Sequence, residues 1–223
     1  MSIFLINPYI YQVADVPVER IANAEAMDIN GVDQYIMSSG SNSSTDITIS
    51  FWIKISETPT LSFGGLIAGQ SGTTADYTGG FSISNNAGMF LGRNGGFGEY
   101  RIPWSDVVDG AWHHVVFTRT NTNLYGYVDG ASAGSQISSP SATVSSFDNI
   151  WIGCRSYNGT PTTYLSKPFS IDEVALFNTA LSASKIQEIY NATAVVDGVP
   201  QTANLFTGGL SSSLVYWNRM GDS

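Results

Sequence analysis

Positive charge is scarce in this chain. It has 9 lysines and arginines against 18 acidic residues, giving a formal net charge of −9. Phosphate recognition needs clustered cations, so nucleic acid is not an expected partner. An anionic membrane surface is disfavoured for the same reason. Cysteine is nearly absent, and the single Cys154 permits no intramolecular disulfide. Following Ile150-Trp151-Ile152-Gly153, it reads as a small buried hydrophobe. No apolar run approaches the length of a membrane span. Met1 to Ile6 lacks a basic segment and Asn7-Pro8 interrupts its apolar run, so a secretory signal is not expected. Without export, the sequons at Asn42, Asn158 and Asn191 would stay silent.

What the chain has is β-pattern and polar, uncharged surface. A length of 223 residues fits one large β domain with an adequate core. Serine, threonine, asparagine and glycine are plentiful, which suits hydroxyl-rich ligands or a tightly assembled particle. Asp46 to Ser56 alternates most clearly, with Ile47, Ile49, Phe51, Ile53 and Ile55 on one face and Thr48, Ser50, Trp52 and Lys54 on the other. That strand should sit at the centre of a sheet.

The stretch 109–130 organises the rest. Trp112 to Thr118 and Leu124 to Val128 read as strands joined through Asn121-Thr122-Asn123. Asp129-Gly130 is a type I′ turn signal, and a third strand through Ser135, Gln136 and Ile137 would complete a meander. His113 and His114 then face opposite ways and cannot chelate one metal. Further strands are expected at Tyr35-Ile36-Met37, Leu66-Ile67-Ala68, Phe81-Ser82-Ile83, Met89 to Gly92, Ile150 to Gly153, Phe169 to Phe177 and Leu214 to Trp217. Tyr157 to Pro161 reads as a loop and Arg219 to Ser223 as loose. One helix is expected over Leu181 to Tyr190, with Ser182 as N-cap and Ile186, Ile189 and Tyr190 inward, at a sheet edge or an end of the domain.

Four ordered segments carry a resemblance. They are Ala26 to Ile36; Ile47 to Ile53; Asp109 to Val115 with Tyr127-Val128-Asp129-Gly130; and Ile171 to Asn178 leading into Leu181-Ser182. Together they resemble the concanavalin A-like lectin/glucanase superfamily, in its laminin G-like jelly-roll branch. The resemblance implies an all-β, two-sheet antiparallel jelly-roll sandwich with one short helix near the C-terminus. The expected organisation is an N-terminal arm (1–23), the jelly roll (24–195) and a C-terminal tail with one strand (196–223).

The fold hosts lectins, glycosidases and structural units, so activity must be argued from side chains. A retaining glycosidase needs two neighbouring carboxylates. Asp172-Glu173 is the best pair, and adjacent strand residues should face opposite sides. No catalytic residues are therefore assigned, and no enzyme is expected. Family members often hold calcium at the loop rim, and Asp76, Glu99, Asp106 and Asp109 are the candidate ligands for a possible calcium ion. Tyr77, Phe97, Tyr100, Trp104 and Tyr157 are candidate aromatic platforms for sugar. The leading expectation is a structural or decoration protein on a virion or extracellular particle surface. It would be homo-oligomeric, with its arm on neighbouring subunits and glycans as a further partner. The alternative is a free carbohydrate-binding lectin, secreted or at the cell surface.

Overall fold

Period-two alternation fixes the two sides of the central strand, Ile47–Lys54. Ile47, Ile49, Phe51 and Ile53 are each at most 1% exposed. They meet Leu66, Ile67, Phe81, Ile83, Leu91 and Ile152 from a second sheet in one continuous core. Each such side chain contributes roughly 1.5–3 kcal/mol of burial before ordering entropy is subtracted. The structure, a computed structural model, describes residues 18–22, 26–70, 80–92, 98–140, 147–157, 159–196 and 199–220.

The first sheet runs in the order Ala131–Ser132, Leu124–Val128, Trp112–Arg119, Ile47–Lys54, Phe169–Phe177, Leu214–Asn218. Met27–Ile29 adds to it along Phe169–Ile171. The second sheet runs Ser135–Ser138, Glu99–Ile102, Met89–Gly92, Phe81–Asn85, Gly65–Gln70, Phe147–Ile152, Ile36–Asn42. Along both of these orders the neighbours are antiparallel, so the architecture is the all-β, two-sheet jelly-roll sandwich with one short helix. A small third sheet joins Glu19–Ala22, Val199–Asn204 and Ala194–Val196, so the described part of the N-terminal arm pairs with the C-terminal tail of its own chain.

The helix Ala183–Ala192 is capped by Ser182, whose side chain accepts from the Lys185 backbone N–H. It lies on the outer face of the first sheet, where a sheet edge or domain end was expected. Tyr190 stacks on Trp52 and His114, and Ile186 packs with Val116 and Tyr127. His114 is buried beneath it, bonded to Ser50 Oγ at 2.8 Å, and burial pulls its pKa down to about 4. It is a neutral core histidine.

Four further expectations are corrected. The chain does not continue as a meander after Asp129-Gly130. The turn itself has φ of 51° and 76°, as type I′ requires. Ser135–Ser138 then pairs with Glu99–Ile102 of the other sheet. The switch occurs at Gly134, where φ is +79° and a Cβ would stand 2.2 Å from the Arg101 carbonyl oxygen. Tyr157 to Pro161 is no open loop, since Tyr157 and Thr160 pair across a hairpin of Cys154–Tyr157 and Thr160–Tyr164. Arg219 and Met220 are anchored: Arg219 Nε donates to Glu173 Oε1 at 3.3 Å, and Met220 is buried in the main core.

The fourth correction concerns Asp172 and Glu173. A bulge shifts the register between Asp172 and Ala175, with Glu173 at φ +51°. An extra residue breaks the alternation locally. Asp172 lies opposite Trp52, and Glu173 accepts from Trp217 Nε1, so both carboxylates stand on the helix-bearing side of the sheet. Each residue is 4% exposed, closed off from any substrate. Burial is the main force on Glu173. Trp217 and Arg219 oppose it and Asp172 reinforces it, leaving the pKa raised to about 7.

Two outcomes follow. Gly134→Ala should cost about 2 kcal/mol or more, because the strained backbone and the blocked crossing act together. Urea unfolding followed by tryptophan fluorescence measures it, and an unchanged midpoint would refute the account. For Glu173, the folded carboxyl keeps its proton to near pH 7 while the unfolded one releases it near 4.5. Its contribution is therefore greatest below 4.5 and is lost as pH rises through 7. Glu173→Gln should flatten that decline and be more stable at pH 8 by up to about 3 kcal/mol, read from melting curves across pH.

Candidate functional site

The two outer faces of the sandwich differ. The first sheet's is covered by the helix, whereas the second sheet's carries an open groove of about 420 Å³. Alternation supplies the floor. Phe81 and Ile83 point into the core, so Ser82 and Ser84 point out. On the next strand Met89 and Leu91 are core residues, while Phe90 and Gly92 face the groove. Glu99 and Arg101 face outward in turn, with Tyr100 and Ile102 inward.

The opposite wall is the hairpin Cys154–Tyr164. Gly153, at φ +91°, turns the chain out of the second sheet. Cys154 then packs on Ala68 and Trp151, the structural role expected of it. The hairpin lies so close to Gly65 that a Cβ there would meet the Arg155 nitrogen at 2.3 Å. Arg155 and Thr163 line the groove from this side.

One end of the groove is closed by Ser62, Phe63 and Asn86. Phe63 is held at φ +61° with its ring 46% exposed. Its backbone N–H donates to the Asn85 carbonyl. The Asn85 amide donates to the Pro59 and Leu61 carbonyls, and its oxygen accepts from Trp104 Nε1 at 2.7 Å. Arg155 sits 5.8 Å from the Phe63 ring centroid, and Arg101 the same distance from Phe90. Such cation–π contacts hold a flat guanidinium in place.

Ser82 Oγ and Thr163 Oγ1 are buried without a hydrogen-bond partner among the described residues, as is Arg101 Nε. A buried polar atom left unpaired costs about 1–3 kcal/mol. Two of these atoms, Ser82 Oγ and Thr163 Oγ1, belong to residues that line the groove.

Of the sequence candidates, Glu99 lies in this groove. Tyr100 is 5% exposed, edge-on to Phe117, and its hydroxyl donates to the Ala133 carbonyl. Trp104 is buried on Asn85 and positions the Phe63 loop without presenting its own ring. Tyr157 is exposed at the hairpin tip and does not line the groove. Asp76, Tyr77 and Phe97 lie outside the described residues. Asp106 accepts from Ser105 Oγ in the short turn Trp104–Asp106. Asp109 and Asp129 bond the two ring nitrogens of His113 at 3.1 and 2.9 Å. Burial lowers the pKa of His113, but these two carboxylates outweigh it and leave it raised. Among the described residues no three histidine, cysteine or acidic side chains gather as a metal site.

Sequence reading missed Phe63, Ser82, Ser84, Phe90, Arg155 and Thr163. One signal was available: in Met89-Phe90-Leu91 the phenylalanine holds the outward position, where an aromatic ring has no core to fill.

The chain is similar to several solved structures at low identity. The Trypanosoma rangeli sialidase is 21% identical, with 65% of this chain and 22% of that chain covered and a TM-score of 0.43. The binding domain of botulinum neurotoxin serotype G is 12% identical, covering 78% of this chain and 46% of that one, with a TM-score of 0.46. Domain 4 of an extracellular arabinanase from Geobacillus stearothermophilus, in complex with arabinotriose, is 17% identical, covering 77% and 87%, with a TM-score of 0.44. This chain thus spans less than half the length of the first two. No match is found among curated proteins. The family model described as the concanavalin A-like lectin/glucanases superfamily matches residues 30–187, most of the sandwich. With that match and the two-sheet jelly roll, the chain belongs to the concanavalin A-like lectin/glucanase superfamily, in its laminin G-like branch.

Proposed function

We propose that this is a non-catalytic carbohydrate-binding domain that holds sugar in the groove of the second sheet. The observation that carries the reading is the pair of buried, unpaired hydroxyls, Ser82 Oγ and Thr163 Oγ1, in a groove that also presents the Phe63 ring. A sugar ring has apolar C–H faces and a rim of hydroxyls. An exposed phenyl ring suits the first. Serine, threonine, Asn86, Glu99 and Arg155 supply donors and acceptors for the second. The buried pair Asp172 and Glu173 has no access to a substrate, which supports binding without hydrolysis.

The groove holds one carboxylate, Glu99, against the six to eight oxygens that calcium takes. Sugar binding here is therefore proposed to need no calcium. Placement on a viral particle draws no support from the fold or from the similar structures named above. The arm on which that placement relied, residues 1–23, lies mostly outside the described residues. No helix among the described residues is long and apolar enough to cross a membrane.

A glycan array, run with calcium and again with chelator, tests the reading. Binding should appear in both conditions. Phe63→Ala should weaken it about tenfold, equivalent to about 1.4 kcal/mol, with an unchanged melting temperature because the ring is exposed. A folded protein that binds no glycan would refute the proposal. Binding lost with chelator would move the site away from this groove.

A further inference from the structure

We infer, resting on the carbohydrate reading, that the protein binds a neutral, linear oligosaccharide, with one unit in the groove and a further unit in a second hollow beyond Ser62. That hollow has a volume of about 520 Å³. Ser62 lines both it and the groove. The turn after Phe81–Asn85 is shared in the same way: Asn86 lines the groove, while its neighbours Asn85 and Ala87 line the second hollow. The two cavities therefore adjoin across one ridge. Each falls within the roughly 300–1,000 Å³ of small-molecule sites, so each can take a sugar unit of its own.

Side-chain chemistry says what the second hollow takes. Among the described residues no charged side chain lines it. Its rim is rich in hydroxyls, with Thr58, Thr60, Ser62 and Ser105 exposed there. A hydroxyl both donates and accepts, which matches the hydroxyls of a sugar. Its floor is Asn85 and Trp104, locked together by the 2.7 Å bond from Trp104 Nε1. The groove is lined by one cation and one anion, Arg155 and Glu99, so neither cavity carries a surplus of charge. The ridge between them is held from both sides. Phe63 N–H donates to the Asn85 carbonyl, and Asn85 N–H to the Gly64 carbonyl. Ser166 Oγ accepts from the backbone N–H groups of Thr60 and Leu61 at 3.0 and 3.1 Å. The two sites thus stand at a fixed spacing. Once one unit of a chain is seated, its next units meet the second site at high effective concentration. A linear oligosaccharide repeats one chemistry along its length and can use both sites, whereas a monosaccharide uses one.

The test is calorimetric titration of the full chain with neutral gluco-, manno-, xylo- and galacto-oligosaccharides of one to six units, and with uronate counterparts. Affinity should rise about tenfold or more once the oligosaccharide spans both sites, and then level off. Uronate chains should bind no more tightly than neutral ones. Ser105→Tyr adds a ring at the rim of the second hollow and should cancel the gain with length, while the melting temperature and the affinity for short oligomers hold. Thr58→Tyr, from a different segment of the same rim, should do likewise. Phe63→Ala should instead weaken short and long oligomers alike. An affinity independent of length would overturn the inference and leave the carbohydrate reading standing. Binding of two short oligomers per chain without that gain would do the same. A gain that survives both tyrosine substitutions would overturn the assignment of the second unit to this hollow. Tighter binding of uronates would overturn the neutral class. Absence of all glycan binding by a folded protein would overturn the carbohydrate reading as well.

Discussion

Everything in this molecule depends on burying one row of side chains, Ile47, Ile49, Phe51 and Ile53, against the inner face of a second sheet. Once that row is inside, the pleat sends Thr48, Ser50, Trp52 and Lys54 to the other side. The first sheet then has an outer face that still needs cover. The helix supplies it, through Ile186 on Val116 and Tyr127 and through Tyr190 on Trp52 and His114. A neutral His114 and a Glu173 whose pKa is raised are among the polar groups buried on that side.

The second sheet obeys the same constraint with a different outcome. Its inner residues Phe81, Ile83, Met89, Leu91, Tyr100 and Ile102 complete the core. Its outer residues include Ser82, Ser84, Gly92 and Glu99 beside the rings of Phe90 and Trp151, and the helix does not cover them. A hairpin does so in part, because Gly65 leaves room for its backbone and Cys154 ties it to Ala68 and Trp151. The uncovered remainder is the groove. One outer face of the sandwich is therefore covered by the helix, while the other keeps an open groove.

The groove's polar character also depends on residues that never enter it. Trp104 and Asn85 hold the loop that presents Phe63, and the chain's switch between sheets at Gly134 places Ser135–Ser138 beside the strand that carries Glu99 and Arg101. A loop aromatic, Trp104, thus fixes the frame of the groove with its own ring buried.

What the sequence determined by itself is everything of short range. Alternation over Ile47–Lys54, the strand Phe169–Phe177, the Asp129-Gly130 turn and the Ser182 cap rest on neighbours within a few residues, and these elements form as expected. Burial of Cys154 and the opposite facing of His113 and His114 follow from the same periodicity. Tertiary structure alone decided which strands became neighbours. It put Ser135–Ser138 in the second sheet, broke alternation at Glu173 with a bulge, and folded the hairpin over Gly65. The groove draws on the strands Phe81–Asn85, Met89–Gly92 and Glu99–Ile102 and on a hairpin more than fifty residues further along. No local pattern carries that information, because it arises only when non-local pairings compete to bury the same core.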